Sequence, residues 1–317
     1  MKVLVTGATS MIGRNAVEVL LRRGHSVNVL QRGNTDLPVT AFRGDIRDAS
    51  LVRSAVEGCD VVVHAAARVG LIGSYDDFYE TNVVGTTNVV NAAVESGCRG
   101  VVYLSSPSVS YSTTSVEGDV APPARDDVLG FYSQTKSVAE RNVINDSRIA
   151  TVALRPHLVW GPGDTQLVGR IVERARAGRL VLVNKGKAVV DTTYVDNVGE
   201  AIACATERIG VVNALNGRAL VVSNGEPRSV ADLVQSICEA HNIPYTPKSV
   251  GLQIAVLLGS IIETLFKLRP NSEPPLTRFT AYQLGISHWF NISETKTLLD
   301  WSPHVSLDEG FQRLQQT

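Results

Sequence analysis

The chain opens with a short apolar run, Lys2 to Thr6, followed by a glycine-bearing turn. A run of β-forming residues bounded by glycine predicts a buried strand. From Ile12 to Arg23 the apolar positions recur at helical spacing, and Gly24 stops the helix. Ser26 to Leu30 is a second apolar run, so the opening reads as a βαβ unit. A third strand is expected just before Gly44. Asp60–His64 and Gly100–Leu104 are further apolar runs, each preceded by a helical stretch, and Thr151–Leu154 is another. Strands alternating with helices predict an α/β, Rossmann-type, doubly wound parallel sheet with helices on both faces.

The rhythm changes after Arg155-Pro156. Gly161-Pro162-Gly163, Asn224-Gly225-Glu226-Pro227 and Glu273-Pro274-Pro275 punctuate the second half of the chain. The pattern divides the chain into a sheet domain at 1–159 and a smaller, irregular C-terminal lobe at 160–317. Elements at roughly 188–224 are expected to return to the sheet. Such a lobe would cover the carboxyl ends of the strands, where α/β sheets bind ligands. Gly251 to Leu268 is nearly long enough to span a bilayer, but Gln253, Ser260, Glu263, Thr264 and Lys267 fall largely on one side at helical spacing. That describes an amphipathic helix with a broad apolar face. The face is expected to be buried in the protein or against a partner subunit, or else to touch a membrane or a lipid substrate.

With 317 residues there is room for a large core, and a formal net charge of −1 gives no reason to expect nucleic acid. Cys59, Cys98, Cys204 and Cys238 are scattered without a C-x-x-C pair, so no disulfide framework and no metal site is expected. Thiols of this kind fit a reducing cytoplasm. The first strand begins at Lys2, which leaves no room for a signal peptide.

Thr6-Gly7-Ala8-Thr9-Ser10-Met11-Ile12-Gly13 joins the first strand to the first helix. A helix N-terminus there offers N–H groups and a positive dipole end to a pyrophosphate. Gly7 permits the tight turn and Gly13 the close helix–strand packing, whereas Ser10 stands where a third glycine is usual. Its hydroxyl is expected to reach a phosphate, or the loop to be slightly displaced. The first strand pair thus predicts dinucleotide binding in residues 1–159 and substrate binding mainly in 160–317. The second strand ends in Gln31-Arg32-Gly33, with no acid to bind ribose hydroxyls and repel a 2′-phosphate. Arg32 could fork onto that phosphate, so NADP(H) is favoured, with NAD(H) the alternative. Asp45, with Ile46 beside it, is placed to reach the adenine edge.

Tyr132 and Lys136 are four residues apart, on one face of a helix. An ammonium at that spacing can lower the phenol's pKa and fit it to exchange a proton with a carbonyl or alcohol oxygen. Ser105-Ser106 ends a strand between this pair and the glycine loop.

Together these features resemble the extended short-chain dehydrogenase/reductases. The resemblance runs through Thr6–Gly13, Gly44-Asp45, His64-Ala65-Ala66-Ala67, Asn82-Val83-Val84-Gly85-Thr86, Leu104-Ser105-Ser106, Tyr132–Lys136 and Leu154-Arg155-Pro156, in that order. It implies Tyr132 as general acid/base, Lys136 on the nicotinamide ribose and lowering the Tyr132 pKa, and Ser106 on the substrate oxygen, with Ser105 the neighbouring alternative. Asn82 would support the helix geometry or a water near Lys136. Pro156 and His157 would lie near the nicotinamide, with a packing role for His157 equally open. The loop residues Gly7, Thr9, Ser10, Met11, Ile12 and Gly13, with Arg32, Asp45, Ile46, Ala65, Ala66, Ala67 and Ser105, complete the implied cofactor contacts.

Pro107-Ser108-Val109 resembles the branch containing 3β-hydroxysteroid dehydrogenases and sterol-4-carboxylate 3-dehydrogenases. It lacks the Asp-Glu of the sugar-nucleotide dehydratases. Within the branch, Gln31-Arg32-Gly33, Gly73-Ser74-Tyr75-Asp76, Trp160–Asp164, Ala175–Leu180, Val190–Tyr194, Pro275–Phe279 and His288-Trp289 are similar to the 2-alkyl-3-oxoalkanoate reductases of bacterial long-chain olefin and β-lactone biosynthesis. This implies reduction of a long-chain 2-alkyl-3-keto acid, with Ser108 and Arg278 as substrate contacts. A dehydrogenase of steroid or sterol 3-hydroxyls and a non-catalytic dinucleotide sensor are the competing readings. A dimer is usual for the family, and the 251–268 helix suits alkyl chains, docking to pathway enzymes or the membrane periphery.

Overall fold

The apolar run Lys2–Thr6 forms β1. After it come α1 (Met11–Arg22), β2 (Ser26–Gln31), β3 (Thr40–Arg43), α2 (Ala49–Val56) and β4 (Val61–His64). α3 (Tyr75–Tyr79) passes through a π-helical turn, Glu80–Val84, into α4 (Gly85–Glu95) and β5 (Gly100–Leu104). Then come β6 (Val116–Asp119), α5 (Phe131–Ile144) and β7 (Ala150–Pro156). The structure, a computed structural model, describes residues 1–266 and 274–316.

Beyond β7 the elements shorten. They are β8 (Val159–Trp160), α6 (Val168–Arg176), β9 (Val181–Val183), β10 (Val189–Val190), β11 (Thr193–Tyr194), α7 (Val195–Arg208) and β12 (Arg218–Val222). β13 (Arg228–Ser229), α8 (Val230–Ala240), β14 (Lys248–Val250), α9 (Leu252–Phe266), α10 (Arg278–Gly285), β15 (His288–Phe290), α11 (Ser293–Leu299) and α12 (Leu307–Leu314) complete the described chain.

Seven strands form one parallel sheet in the order β3-β2-β1-β4-β5-β7-β12. Side chains alternate across it, as the pleat requires. Val3, Val5, Val61, Val63, Val102, Val152 and Leu154 face a layer containing α1 and α7. Leu4, Val62, Val101, Tyr103 and Ala153 face α2, α4 and α5. Burial on both faces explains why the strands read as continuous apolar runs. β1 lies beside β4, so the strand order reverses there and a crevice opens at their carboxyl ends.

A third core gathers around Trp160, which stacks on Phe311 at 4.6 Å between ring centroids. A small sheet, β13-β10-β15-β6, joins late strands to β6 from the first half. α9 packs on α10 through Ala255 and Gly259, its only fully buried residues, while Ile254, Leu257, Leu258, Ile261 and Leu265 are 44–62% exposed. The broad apolar face expected to be covered is therefore open along this stripe. Lys267, Leu268 and Glu273 lie outside the described residues. Among the described residues, no helix is long and apolar enough to cross a membrane.

Candidate active site

The turn after β1 is built on close backbone approach. Gly7 has φ +76°, and a Cβ on it would lie 2.7 Å from the backbone of Ala66. A Cβ on Gly13 would strike the Gly7 carbonyl oxygen. Only glycine allows both the left-handed turn and the helix start pressed onto it. Ser10 corrects the sequence reading. It is the N-cap of α1, donating its hydroxyl to the Gly7 oxygen (2.9 Å) and accepting from Gly13 N–H (3.0 Å). The hydroxyl is thus spent inside the loop, where it holds the turn that a third glycine would leave unbraced. Met11 and Ile12, the first residues of α1, have amides without intrahelical partners by helix geometry. The loop meets the end of β2 at Thr9, whose methyl lies 3.2 Å from where a Gly33 Cβ would be.

At that end Gln31 is buried with its Oε1 unpartnered, and its amide nitrogen donates to the Gly33 oxygen at 3.1 Å. Arg32 is exposed, and Arg43, a cation that the sequence reading missed, donates its Nε to the Arg32 oxygen at 3.3 Å. The parallel register, with Gln31 opposite Arg43, brings the two arginines together. Asp45, expected at an adenine edge, is gripped by Arg47 through Nε and a terminal nitrogen, each at 3.0 Å. That guanidinium holds the carboxylate below its usual range. Ile46 is buried under α4, and its carbonyl accepts from Asn88 at 3.1 Å.

Tyr132 and Lys136 sit in the first turns of α5, with Ser105-Ser106 at the end of β5. The Tyr132 phenol feels the Ser106 hydroxyl, which lowers its pKa. Burial pushes this phenol up to about 12, and the Ser106 contact acts the other way. Lys136, expected to lower it, turns its amine elsewhere. Its ammonium donates to the Leu104 oxygen at 2.5 Å and stands 4.0 Å from the Tyr103 ring centroid. Burial lowers Lys136 to about 7, while Glu140, one turn on, pulls upward. Glu140 is in turn clamped by Arg155 of β7, at 2.8 and 2.5 Å, with both side chains buried.

Ser108 is not placed as a free substrate contact. Its hydroxyl accepts from Ser133 (3.0 Å) and lies 3.0 Å from the Ser106 hydroxyl, so it braces Ser106. Ser105 carries a buried hydroxyl without a partner. Arg278 is likewise not free: its Nε donates to Glu263 at 2.9 Å, tying α10 to α9.

His64 organises the floor of the crevice. Thr86 donates to the Asn82 oxygen (2.6 Å), so Thr86 must accept from His64 Nε2–H (2.9 Å). His64 Nδ1 then accepts from the Thr6 hydroxyl at 2.7 Å, and Thr6 accepts from Ala66 N–H at 3.1 Å. Both ring nitrogens are satisfied in the neutral form, and burial with nearby Lys136 takes the pKa to about 3. Asn82 accepts from Arg68 N–H (2.7 Å) and donates to Thr135 (3.0 Å). It therefore links the segment following Ala65-Ala66-Ala67 to α5, which is the helix-supporting role.

His157, after Pro156 at the end of β7, packs against the C-terminal lobe. His288 Nε2 donates to the Gln283 oxygen (2.8 Å), which leaves His288 Nδ1 to accept from His157 Nε2–H at 3.0 Å. His157 Nδ1 is buried without a partner. Burial lowers both histidines, His288 to about 4. Tyr111 stacks on His288, and Phe290 meets His157 edge-on. His288 was missed as a site residue because nothing local in His288-Trp289 signals a partner 131 positions away.

The glycine cradle, the arginines at the ends of β2 and β3, and the unpartnered Ser105 and Gln31 fit a dinucleotide laid across the strand reversal. The sequence profile of the 3-beta hydroxysteroid dehydrogenase/isomerase family matches residues 4–250. A 2-alkyl-3-oxoalkanoate reductase of Stenotrophomonas maltophilia is 42% identical, covering 99% of this chain and 98% of its own. Human sterol-4-alpha-carboxylate 3-dehydrogenase, decarboxylating, is 29% identical over 99% of this chain and 87% of its own. Among solved structures, a Thermus thermophilus UDP-glucose 4-epimerase in complex with NAD superposes with a TM-score of 0.74 at 24% identity, covering 100% of this chain and 98% of its own. That likeness is one of fold.

Proposed function

The chain belongs to the 3-beta hydroxysteroid dehydrogenase/isomerase family and is an NAD(P)-dependent oxidoreductase, and we propose that it reduces the 3-keto group of a long-chain 2-alkyl-3-oxoalkanoic acid to the 3-hydroxy acid with NADPH. The observation that carries the reading is identity of 42% from end to end to a 2-alkyl-3-oxoalkanoate reductase, in a chain whose Ser106 acts on the Tyr132 phenol. Bound nicotinamide supplies the hydride. Gly7 to Gly13 would hold its pyrophosphate, and Arg32 with Arg43 the adenosine 2′-phosphate.

The protein's part is proton donation and positioning. With a pKa near 12, Tyr132 is protonated at neutral pH and serves as the donor to a developing alkoxide. Ser106 accepts from Ser108 N–H at 3.3 Å and is braced by the Ser133–Ser108 hydroxyls. That leaves its own proton for the substrate oxygen or for Tyr132, so two donors converge where negative charge forms. Lys136, lowered by burial and pulled up by Glu140, stands one helical turn away.

The sterol dehydrogenase reading draws on the human relative and shares all of this machinery. Substrate identity separates the two. Purified enzyme is given NADPH with an equimolar mixture of a long-chain 2-alkyl-3-keto acid and a 3-ketosteroid, and products are identified by mass spectrometry. The 3-hydroxy acid is the expected product, and a hydroxysteroid alone would overturn the assignment.

A further inference from the structure

We propose that Leu158 sets substrate choice: held at the crevice by a strained turn, its side chain takes the apolar part of the ketone and turns polar substrates away. The observation is a backbone outlier. Leu158 has φ +43°, in the left-handed region, which a bulky side chain enters only under strain. Among the described residues, Asn184, Asn242 and Asp300 also have positive φ, and their short polar side chains tolerate it. Lys185 is exposed in a turn, and Ala121 is small. Leu158 is the large apolar residue of the set.

The strain is held from several sides. Buried Thr193 donates its hydroxyl to the His157 oxygen at 2.7 Å and its N–H to the Leu158 oxygen at 3.3 Å. His157 N–H donates to the Val222 oxygen at 3.0 Å, and Trp160 Nε1 donates to the Thr192 hydroxyl at 3.0 Å. These bonds fix the residues on either side, and the left-handed residue between them carries the chain from β7 to β8. Glycine or asparagine would make that turn with less strain. The turn therefore does not explain the leucine, and its side chain needs a use of its own.

Its position supplies one. β5 and β7 are neighbours in the sheet, and Ser105 N–H donates to the Leu154 oxygen at 2.7 Å. The two strands end side by side: Ser105-Ser106 follow one, His157-Leu158 the other. Leu158 is only partly buried and packs against the third core, as does Met11 in the first turn of α1. It stands where the cofactor turn, the end of β5 and the C-terminal lobe come together. An alkyl chain or a sterol ring beside the ketone carbon would cover the open part of its side chain. Asparagine here would set an amide against that apolar group without a partner. This role rests on the substrate being an apolar ketone, as proposed for the reaction site.

Leu158→Asn, Leu158→Gly and Leu158→Met test it, each given NADPH with a long-chain 2-alkyl-3-keto acid, a 3-ketosteroid and a short water-soluble ketone. The readout is the ratio of kcat/KM for the apolar ketone that wild type reduces to kcat/KM for the short one. Leu158→Asn and Leu158→Gly are expected to lower this ratio by about tenfold or more, chiefly through KM for the apolar ketone. Their NADPH Kd should match wild type, which reports that they fold, and their Tm should hold or rise as the turn relaxes. Leu158→Met keeps an apolar side chain and should keep the wild-type ratio. An unchanged ratio in Leu158→Asn and Leu158→Gly, with or without a lower Tm, would overturn the proposal alone and leave Leu158 a packing residue. Wild type reducing the short ketone and neither apolar one would overturn the substrate reading and this proposal together.

Discussion

Burial raises the Tyr132 phenol and Ser106 lowers it, whereas the sequence reading looked to Lys136 for the lowering. A Tyr and Lys four apart on α5 were legible as one helix face. What spacing could not show is that the Lys136 ammonium turns to the Leu104 carbonyl and the Tyr103 ring. Ser10, Ser108 and Arg278, each credited with a ligand, bond protein neighbours that only the fold reveals. Ser108→Ala should leave the NADPH Kd unchanged while lowering kcat, because it removes the brace on Ser106 and nothing at the cofactor loop. Equal loss in both quantities would assign Ser108 to binding. Arg32→Asp, alone and with Arg43→Ala, should lower the NADPH/NADH ratio of kcat/KM by about tenfold or more, as expected for charge-assisted phosphate contacts. An unmoved ratio would remove both arginines from cofactor selection.

At the level of elements, the apolar strands and the glycine loop were readable because buried parallel strands are nearly all apolar and phosphate turns demand glycine. The joints between elements were not. The Arg155–Glu140 pair pins β7 to α5 in a buried setting. Arg155→Met would strand a buried carboxylate and is expected to cost about 3–5 kcal/mol in urea unfolding, with Glu140→Gln in the same chain recovering part of it. The His157–His288 contact joins β7 to β15. Between pH 6.5 and about 4 the unfolded chain takes up a proton that folded His288 does not, so this contact loses stability as pH falls through that window. His157 acts in the same direction. Asp191, raised to about 6 by burial, opposes them, because its folded carboxyl holds a proton that the unfolded one releases. His288→Phe should therefore flatten the fall in Tm across this range. A fall as steep as that of wild type would show that the pair does not govern acid sensitivity.

For the whole molecule, the alternation of strands and helices was enough to anticipate a doubly wound sheet with an added lobe. The added lobe itself was less legible. Its strands are two or three residues long and take partners from distant parts of the chain, as when β15 pairs with β6. On the proposed function, two lobes meeting over the carboxyl ends of the strands would let one protein hold a dinucleotide and an apolar ketone together. The most direct test of that account is NADPH consumption at 340 nm with a long-chain 2-alkyl-3-keto acid, comparing wild type with Tyr132→Phe. Wild type should turn over and the variant should lose about 10²–10⁴-fold in kcat while still binding NADPH, the loss expected on removing a general acid. Undiminished turnover in Tyr132→Phe, or no keto-acid reduction by wild type, would contradict it.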